Sequence, residues 1–388
     1  MKKLTGLIIL CLVLVSCTQA TYTDGSQVGS NYTANGASTS LGINRTAAPV
    51  PVTDTPQAAP ATLIPVTGAG TDTPQADPAT ETPQPGASTE IPQAATATQM
   101  PASSAPAGNN VFPNFAHIIL IMLENQPFSV INSPRMPLLE ALADKNVLLS
   151  NYFAITHPSL PNYIALMSGS TQGITNDCID CFVNQPNLAD EIETSGRTWK
   201  AYLEDMPSPC FVGDSGKYAQ KHNPLIYFDS IRLNTARCDR SIVPLTNLDS
   251  DLVNNSLPNF SFIMPNLCNS GHDCSAAVAD TWVNDIVNKL QASPALGNNS
   301  LIIIAFDEGS DNDTSSCCGL PTPAGGQVAV VLISPTALPD MTDNTPYSHY
   351  SLLKTILTAW NLPDLGASAQ AQPITVPWTG QVSPTATP

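Results

Sequence analysis

Three stretches of the sequence are apolar along their whole length, and each is as long as a typical β-strand. They are HIILIML (117–123), LIIIAF (301–306) and VAVVLIS (328–334), and NFSFIM (259–264) is a weaker fourth. A strand with one face in water alternates apolar and polar residues, whereas these runs are apolar on both faces. They therefore predict strands of a central sheet that is covered on each side.

The segments between these runs repeat apolar residues every three or four positions, which is the spacing of an amphipathic helix. Four such segments are MPLLEALADK (136–145), NLADEIETSG (187–196), SAAVADTWVNDIVNKLQ (275–291) and HYSLLKTILTAW (349–360). Strand and helix thus alternate along the chain, which is typical of parallel sheets. We predict an α/β fold with a mainly parallel central sheet sandwiched by helices.

The first residues have the layout of an export signal. Two lysines precede an apolar core in MKKLTGLIILCLVLVSC, and this core is too short to span a bilayer stably. LVSC resembles the bacterial lipobox, so we expect residues 1–16 to be a lipoprotein signal peptide and Cys17 to carry a lipid anchor. An ordinary secretory signal is the alternative. With the anchor, the protein would be held at the cell membrane, on the extracellular face or in the periplasm.

Residues 17–110 show no periodic hydrophobicity and are rich in Thr, Ala, Pro, Gln, Gly and Ser, with TDTPQA repeated at 53–58 and 71–76. Such a composition buries too little apolar surface to offset the entropy of ordering. We expect a disordered stalk here, and a binding role for the repeat is the alternative. The folded domain is then 111–380, followed by a disordered tail at 381–388.

The charge of the chain excludes one class of partner. With 14 Lys and Arg against 31 Asp and Glu, the formal net charge is -17 at pH 7. So few basic residues do not build the positive face that nucleic acid requires. An anionic substrate would have to be bound by local positive charge, such as that of a metal ion or a helix N-terminus.

Eight cysteines of the predicted domain indicate disulfides, because their number is even and the chain is exported. Proximity in the sequence suggests the pairs Cys178–Cys181, Cys210–Cys238 and Cys268–Cys274. A zinc site is less consistent with the CxxC at 178–181, since no second CxxC completes it. The adjacent Cys317 and Cys318 form either a vicinal bridge or bridges to other cysteines.

Acidic side chains follow two of the predicted strands, at the carboxyl ends where open parallel sheets bind ligands. Glu124 and Asn125 follow the first strand, and Asp307 and Glu308 follow LIIIAF. Three carboxylates side by side need neutralisation, which favours a bound metal ion. Any one of these residues alone is equally consistent with a solvated loop.

Two further strand ends bring polar residues to the same edge. The strand near 259–264 is followed by Asn266, with His272 and Asp273 a few residues later. A strand near VLLSNYFAI is followed by THPS, which ends in Ser159. We expect these residues to lie near the acidic cluster.

Ser159 lies between two prolines at the start of a predicted helix, in THPSLPNYIALMSGSTQG (156–173). Pro161 suits the first helical position, which would place Ser159 just outside the N-terminus. Free N–H groups and the helix dipole stabilise negative charge there. A serine at this place is commonly only a cap. Beside the carboxylate cluster, however, it favours a nucleophile that a divalent metal activates.

Seven segments together resemble the bacterial phosphoesterase family that includes acid phosphatases and phospholipase C enzymes, within the alkaline-phosphatase-like superfamily. They are LENQPF, THPSLPNYIALMSGSTQG, AYLEDMPSPC, KYAQKHNPLIYF, PNFSFIMPNLCNSGHDCS, IIAFDEG and HYSLLKTI, and they cover nearly all of 117–362 in family order. PSLPNY also resembles the nucleophile region of nucleotide pyrophosphatases/phosphodiesterases. Those enzymes have threonine at the position of Ser159 and a substrate-contacting asparagine at that of Asn162.

The resemblance implies roles for the residues of the candidate site. Ser159 would be the phosphorylated nucleophile. Glu124, Asn125, Asp307 and Glu308 would surround the metal ion that contacts it.

The same resemblance implies a set of substrate-binding residues. Asn125 and Asn162 would bind phosphate oxygens, and His222 would reach the phosphate or the leaving oxygen. His157, two residues before Ser159, would lie at the rim of the site or make a hydrogen bond in the core.

A second group of residues, Asn266, His272 and His349, occupies positions where relatives hold a second metal or orient the substrate, and Asp273 is a further candidate there. Better-known superfamily members have histidine at the position of Glu308 and aspartate at that of Asn266. These departures favour one hard cation with oxygen ligands over two zinc ions. We expect one divalent ion (Ca, Mg, Mn or Zn), with His272 and His349 as acid, base or phosphate donors. A second metal is the alternative.

The sequence thus predicts a metal-dependent phosphoesterase, a phosphomonoesterase that acts through a phosphoserine while His272 protonates the leaving alcohol. The alternative within enzymes is phospholipase C or another phosphodiesterase, because both use the same nucleophile. From another class, the chain would be a non-catalytic surface-binding lipoprotein. The presence of Glu124, Ser159, Asp307 and Glu308 together disfavours that reading.

Overall fold

The computed structural model describes residues 112–378. The predicted signal peptide, stalk and tail lie outside these residues, as does the expected lipid attachment at Cys17. Within the described part of the chain, no helix is both long and apolar enough to cross a bilayer.

A nine-stranded mixed sheet runs through residues 112–378. Its strands are β1 (His117–Leu123), β2 (Val147–Phe153), β3 (Trp199–Leu203), β4 (Ile242–Pro244), β5 (Phe260–Met264), β6 (Ser300–Phe306), β7 (Gln327–Ile333), β8 (Met341–Asp343) and β9 (Tyr347–Ser348). The strand order is β4-β3-β5-β1-β6-β7-β2-β8, and β9 pairs with β2. Only β7 is antiparallel to its neighbours. The predicted fold class, a mainly parallel α/β sheet, is confirmed.

Helices occupy most of the connections between these strands. They are α1 (Pro137–Lys145), α2 (Ser159–Ser168), α3 (Leu188–Thr194), α4 (Asp229–Arg232), α5 (Thr235–Ser241), α6 (Thr246–Val253), α7 (Ala276–Ala292) and α8 (His349–Ala359). Helices α1, α3, α7 and α8 fall on the four segments with helical periodicity. Helices α4 to α6 lie outside those segments.

The central strands β1 and β6 position the acidic residues. β6 is buried along its whole length, and β1 is buried apart from its first residue, as expected for strands covered on both faces. The two strands pair in parallel with Leu123 opposite Phe306. The residues that follow, Glu124 and Asp307, therefore leave the sheet side by side.

The far end of α2 is fixed by a close approach of the backbone. Gly169 ends this helix with φ 72°, a conformation that favours glycine. A Cβ atom at this position would lie 1.9 Å from the carbonyl oxygen of Leu365, so no other residue fits. This contact anchors the helix that begins at Ser159.

Four disulfides join the eight cysteines of the described residues. The three pairs suggested by proximity are confirmed, and the adjacent Cys317 and Cys318 form a vicinal bridge. One of them, Cys268–Cys274, closes the short loop that carries His272 and Asp273.

Candidate active site

Ser159 is the first residue of α2, and Pro158 precedes it as the N-cap residue. The helix thus begins two residues earlier than the sequence indicated. Pro161 is still tolerated there, because N–H groups in the first turn of a helix have no intrahelical partner. Ser159 is buried, and its hydroxyl is directed at side-chain oxygens rather than at the N–H groups that a cap would bind.

Three acceptor atoms surround the Ser159 hydroxyl. Its Oγ lies 3.2 Å from Oε2 of Glu124, 3.3 Å from Oε1 of Glu308 and 3.4 Å from Oδ1 of Asn125. A hydroxyl has a single proton and donates one hydrogen bond at a time. The cluster therefore has more acceptors than donors. A bound cation would compensate for the missing donors.

Asp307 completes this cluster beneath the hydroxyl. Its Oδ1 accepts a hydrogen bond of 3.0 Å from the backbone N–H of Asn125, while its buried Oδ2 has no hydrogen-bond partner among the described residues. Burial, together with the charges of Glu124 and Glu308, raises the pKa of Asp307 well above its usual range. Burial and these charges therefore disfavour the ionised form of this carboxyl.

Glu124 is fully buried, yet it remains ionised. Burial opposes its ionisation, but the nearby His222 and the phenol of Tyr163 outweigh that effect and hold the pKa of Glu124 below its usual value. Tyr163 donates a hydrogen bond to Oε1 of Glu124. His222 Nε2 lies 3.3 Å from Oε2 of Glu124 and has no hydrogen-bond partner among the described residues.

His157 forms an ion pair with the third carboxylate. Its Nδ1 donates to Oε2 of Glu308 at 2.6 Å, and its Nε2 donates to the carbonyl oxygen of Asp313 at 2.9 Å. The hydrogen bond with Glu308 raises the pKa of His157 to about 9. Burial raises the pKa of Glu308, and the bond with His157 offsets this only in part. His157 also lines the cavity over Ser159. It therefore lies at the rim of the site and makes hydrogen bonds within the structure as well.

His272 belongs to a chain of polar contacts at the edge of the site. Its Nδ1 bonds Oδ1 of Asp273 at 2.7 Å, and its Nε2 accepts from Nζ of Lys221 at 3.3 Å. Lys221 also donates to Oδ2 of Asp177 at 2.8 Å. The ring of His272 lies 5.7 Å from that of His222.

Two of these residues, Asp177 and Lys221, were missed from the sequence. Asp177 lies in an irregular loop beside the first disulfide, and Lys221 precedes His222 in a short 3-10 turn. Neither residue follows a predicted strand. Site residues were sought at the carboxyl ends of predicted strands, so these two were not identified.

The helix N-terminus offers fewer free donors than expected. The N–H of Leu160 is bonded to Oδ1 of Asp177 at 3.0 Å, and Pro161 has no N–H. Among the first three helical residues, Ser159 alone keeps an N–H that is not in such a bond. The first three residues of α2 therefore offer few free N–H groups to an anion.

A cavity of about 400 Å³ lies over the Ser159 hydroxyl. Its described lining residues are Asn125, His157, Pro158, Ser159, Asp177, Lys221, His272, Glu308 and Asp311. Lys221 is the one Lys or Arg among them. The same space as the Ser159 hydroxyl is thus faced by carboxylates, an amide, two imidazoles and an ammonium group.

Asn162 does not face this cavity, which corrects its expected role in substrate binding. Its Oδ1 accepts from the N–H groups of Ile155 and Thr156 at 2.9 and 3.1 Å. Its Nδ2 donates to the carbonyl oxygens of Thr156 and Pro158 at 2.7 and 3.1 Å. All of its hydrogen-bonding capacity is used to hold the turn that presents Ser159.

His349 is also placed differently from the catalytic or metal-binding role that we expected. It is fully buried, with Nδ1 bonded to the hydroxyl of Tyr152 at 3.0 Å and Nε2 bonded to the carbonyl oxygen of Asp307 at 2.6 Å. Burial lowers its pKa to about 4. His349 is a neutral residue that supports the backbone of Asp307 and has no free nitrogen for a substrate or a metal.

Asn266 is likewise engaged in local structure. Its Nδ2 donates to Asp205 at 2.8 Å, and its Oδ1 accepts from the N–H groups of Cys268 and Asn269. It therefore shapes the loop before His272 and is not available as a ligand. A candidate for a second cation instead comprises Glu124, His222 and His272, whose ligand atoms all lie within 4.8 Å of one another.

Comparison with known proteins relates this arrangement to a family. A phosphate-repressible acid phosphatase of Penicillium chrysogenum is 35% identical over 274 residues, which are 68% of this chain and 63% of that protein. A phosphatidylinositol-3-phosphatase of Mycobacterium tuberculosis is 34% identical over 274 residues, 69% of this chain and 85% of that protein. The chain thus spans less than two thirds of the Penicillium relative.

Among solved structures, a Vibrio parahaemolyticus protein in the alkaline phosphatase superfamily has a TM-score of 0.47 and 11% identity, covering 68% of this chain and 71% of that one. This is a likeness of fold alone. A family model described as the Phosphoesterase family matches residues 124–363, more than half of the chain and the whole of the site described above. The chain belongs to the Phosphoesterase family.

Proposed function

We propose that this protein hydrolyses phosphomonoesters through a covalent phosphoserine at Ser159 and requires a divalent metal ion. The observation that carries this proposal is the surrounding of the Ser159 hydroxyl. It lies buried at the first residue of a helix, 3.2 to 3.4 Å from Glu124, Asn125 and Glu308. The acid phosphatase relative supports a phosphate monoester as the substrate class.

Five residues would hold the metal ion: Glu124, Asn125, Ser159, Asp307 and Glu308. They fit a cation because Oδ2 of Asp307 is buried without a hydrogen-bond partner among the described residues. Their oxygen atoms suit a hard divalent ion. When bound, such an ion supplies positive charge that lowers the pKa of a serine hydroxyl and offsets the charge of a phosphate.

In the first step, Oγ of Ser159 attacks phosphorus, and its hydroxyl proton passes to Oε1 of Glu308, 3.3 Å away. The Oγ–P bond forms, and the bond between phosphorus and the alcohol oxygen breaks. His272 gives its proton to that oxygen. The hydrogen bond between Nδ1 of His272 and Asp273 supports this role, because a carboxylate at this position orients the imidazole ring.

In the second step, a water oxygen attacks the phosphoserine, and His272 accepts the proton of that water. The P–Oγ bond breaks, inorganic phosphate leaves and Ser159 takes its hydroxyl proton back from Glu308. Lys221 and the protonated His157 line the same cavity and offset the charge of the phosphate in both steps.

The test of this function replaces the nucleophile and a matched serine of the same helix. We expect Ser159→Ala to lower kcat for a chromogenic phosphomonoester by at least about a thousandfold. Ser168→Ala, at the other end of α2, should retain turnover. Wild-type protein quenched during turnover should carry phosphate on Ser159, and a chelator should abolish activity until a divalent ion is restored.

Near-normal turnover by a folded Ser159→Ala protein would overturn the proposal. The same assay separates a monoesterase from the phosphodiesterase alternative, because a choline phospholipid can be offered at matched metal concentration. Faster hydrolysis of the diester would favour a phospholipase C instead.

A further inference from the structure

A second cavity adjoins the cavity over Ser159. It encloses about 320 Å³ and shares three lining residues with the first cavity: Asp177, Lys221 and His272. These side chains form the boundary between the two spaces. An alcohol that takes its proton from His272 leaves phosphorus at this boundary.

The walls of the second cavity are partly apolar. Tyr218 and Ala219 are buried, with 3% and 9% of their surfaces exposed, and Leu267 is partly buried. Ile179 is half exposed at 50%, as expected for a residue at a cavity mouth. A volume at the lower end of the range for small-molecule sites, about 300 to 1,000 Å³, suits a compact body such as one ring.

The charged groups of this cavity are mainly acidic. Asp214 and Asp273 line it beyond the boundary, and Oδ1 of Asp214 is held by the N–H of Gln220 at 2.8 Å. Lys221 is the one Lys or Arg among the described lining residues, and it is already paired with Asp177 at 2.8 Å. A second anionic group on the leaving alcohol would therefore face carboxylates, because the two basic side chains of the boundary, Lys221 and His272, are already paired with Asp177 and Asp273.

We propose that this second cavity is the leaving-group subsite, and that its acidic wall selects monoesters of uncharged or cationic alcohols with a compact apolar body. Esters that carry a further anionic group are disfavoured. The proposal rests on the proposed function of Ser159 and names the substrate class of that site.

Three substrates test the proposal on the unmodified protein. They are 4-methylphenyl, 4-(aminomethyl)phenyl and 4-(carboxymethyl)phenyl phosphate, and in the two charged esters a methylene separates the charged group from the aromatic ring. We expect kcat/KM for the carboxymethyl ester to be about tenfold or more below that for the aminomethyl ester, with the methyl ester between or above them. The difference should shrink as salt is added. Equal values, or a preference for the carboxymethyl ester, would overturn the proposal.

A charge-neutral variant tests the acidic wall directly. Asp214→Asn retains an oxygen for the N–H of Gln220 and removes the charge, so the ratio between the two charged esters should fall about threefold or more, mainly through KM. Asp285→Asn makes the same change of net charge at an exposed position of α7 and should leave the ratio unaltered.

The outcomes distinguish this proposal from the function on which it rests. A ratio that stays the same in Asp214→Asn, with a melting temperature equal to that of the wild type, would overturn the subsite. If Ser159→Ala is inactive at the same time, the phosphoserine mechanism is retained and only the leaving-group subsite is rejected. If Ser159→Ala is active, the mechanism fails whatever the ratio is.

Discussion

Tyr163 donates a hydrogen bond from its phenol to Oε1 of Glu124, while Oε2 of the same carboxylate lies 3.2 Å from Oγ of Ser159. Tyr163 follows Ser159 by one helical turn on α2. A single helix therefore carries both the hydroxyl and the group that orients the carboxylate beneath it.

We expect Tyr163→Phe to weaken metal binding or turnover by about 10- to 100-fold, because a ligand that loses its orienting hydrogen bond usually costs that much. Activity titrated against Mn²⁺ concentration measures the effect. Tyr202→Phe is a suitable control, since it removes a buried phenol that bonds Asp251 away from the site. Equal metal dependence in the two variants would contradict a role for Tyr163 in orienting Glu124.

Asn162→Ala should destabilise the protein and lower kcat while KM changes little. The side chain makes four hydrogen bonds to the backbone of residues 155–158, and each buried group left without a partner costs about 1 to 3 kcal/mol. Thermal melting and steady-state kinetics together measure the result. Unchanged stability with a raised KM would mean that Asn162 binds the substrate after all. Asn162→Asp, which keeps the two acceptor interactions, should lie between wild type and Asn162→Ala.

Asp251 should stabilise the fold in a pH-dependent manner. Its carboxylate accepts hydrogen bonds from Lys200 at 2.6 Å, Tyr202 at 2.7 Å and Ser256 at 3.0 Å. Burial opposes its ionisation, but these donors outweigh that effect and lower its pKa. A carboxyl with a lowered pKa in the folded state stabilises the protein above the unfolded pKa of about 4, and that contribution disappears as the pH falls through the folded value.

Asp251→Asn should therefore cost about 1 to 3 kcal/mol in the free energy of unfolding at pH 7, and the cost should diminish below about pH 4. Urea unfolding of both proteins from pH 3 to pH 8 provides the measurement. Asp285→Asn serves as the control and should show no comparable trend. A cost that is constant over the whole range would show that the charge of Asp251 is not what stabilises the fold.

The four disulfides should differ in their contributions to stability. Cys210–Cys238 joins residues 28 apart, whereas Cys178–Cys181 joins residues 3 apart. The longer loop restricts the unfolded chain more, so replacing the first pair by alanine should cost about 3 to 4 kcal/mol and replacing the second about 2 kcal/mol. Chemical unfolding of the two double variants compares them. Equal costs would indicate that loop length does not determine the effect here.

The central sheet and its acidic edge could be predicted from the sequence. Apolar residues on both faces of 117–123 and 301–306 indicated covered strands of one sheet, and the structure shows that these two strands pair in parallel, which brings Glu124 and Asp307 together. Ser159 was recognised because a serine at a helix start, which is commonly only a cap, favours a nucleophile when a carboxylate cluster is expected beside it.

The directions of individual side chains could not be predicted in the same way. Asn162, Asn266 and His349 lie near the site in the chain, but each forms its hydrogen bonds with the supporting backbone instead of facing the cavity. Proximity in sequence to a strand end or helix start gives the neighbourhood of a residue and not its orientation. Asp177 and Lys221 reach the site from irregular loops, whose course depends on tertiary contacts that periodicity does not reveal.

The pairing of Leu123 with Phe306 has a consequence for how proteins of this kind can diversify. The separation of the two acids that follow is set by the spacing between neighbouring strands, about 4.8 Å, and not by any loop. Ile179 and Asp214, in contrast, reach the second cavity from irregular segments far from these strands in the chain. If that cavity receives the alcohol as proposed, exchanges in those segments would alter the preference for the alcohol while the separation of the two acids stays the same.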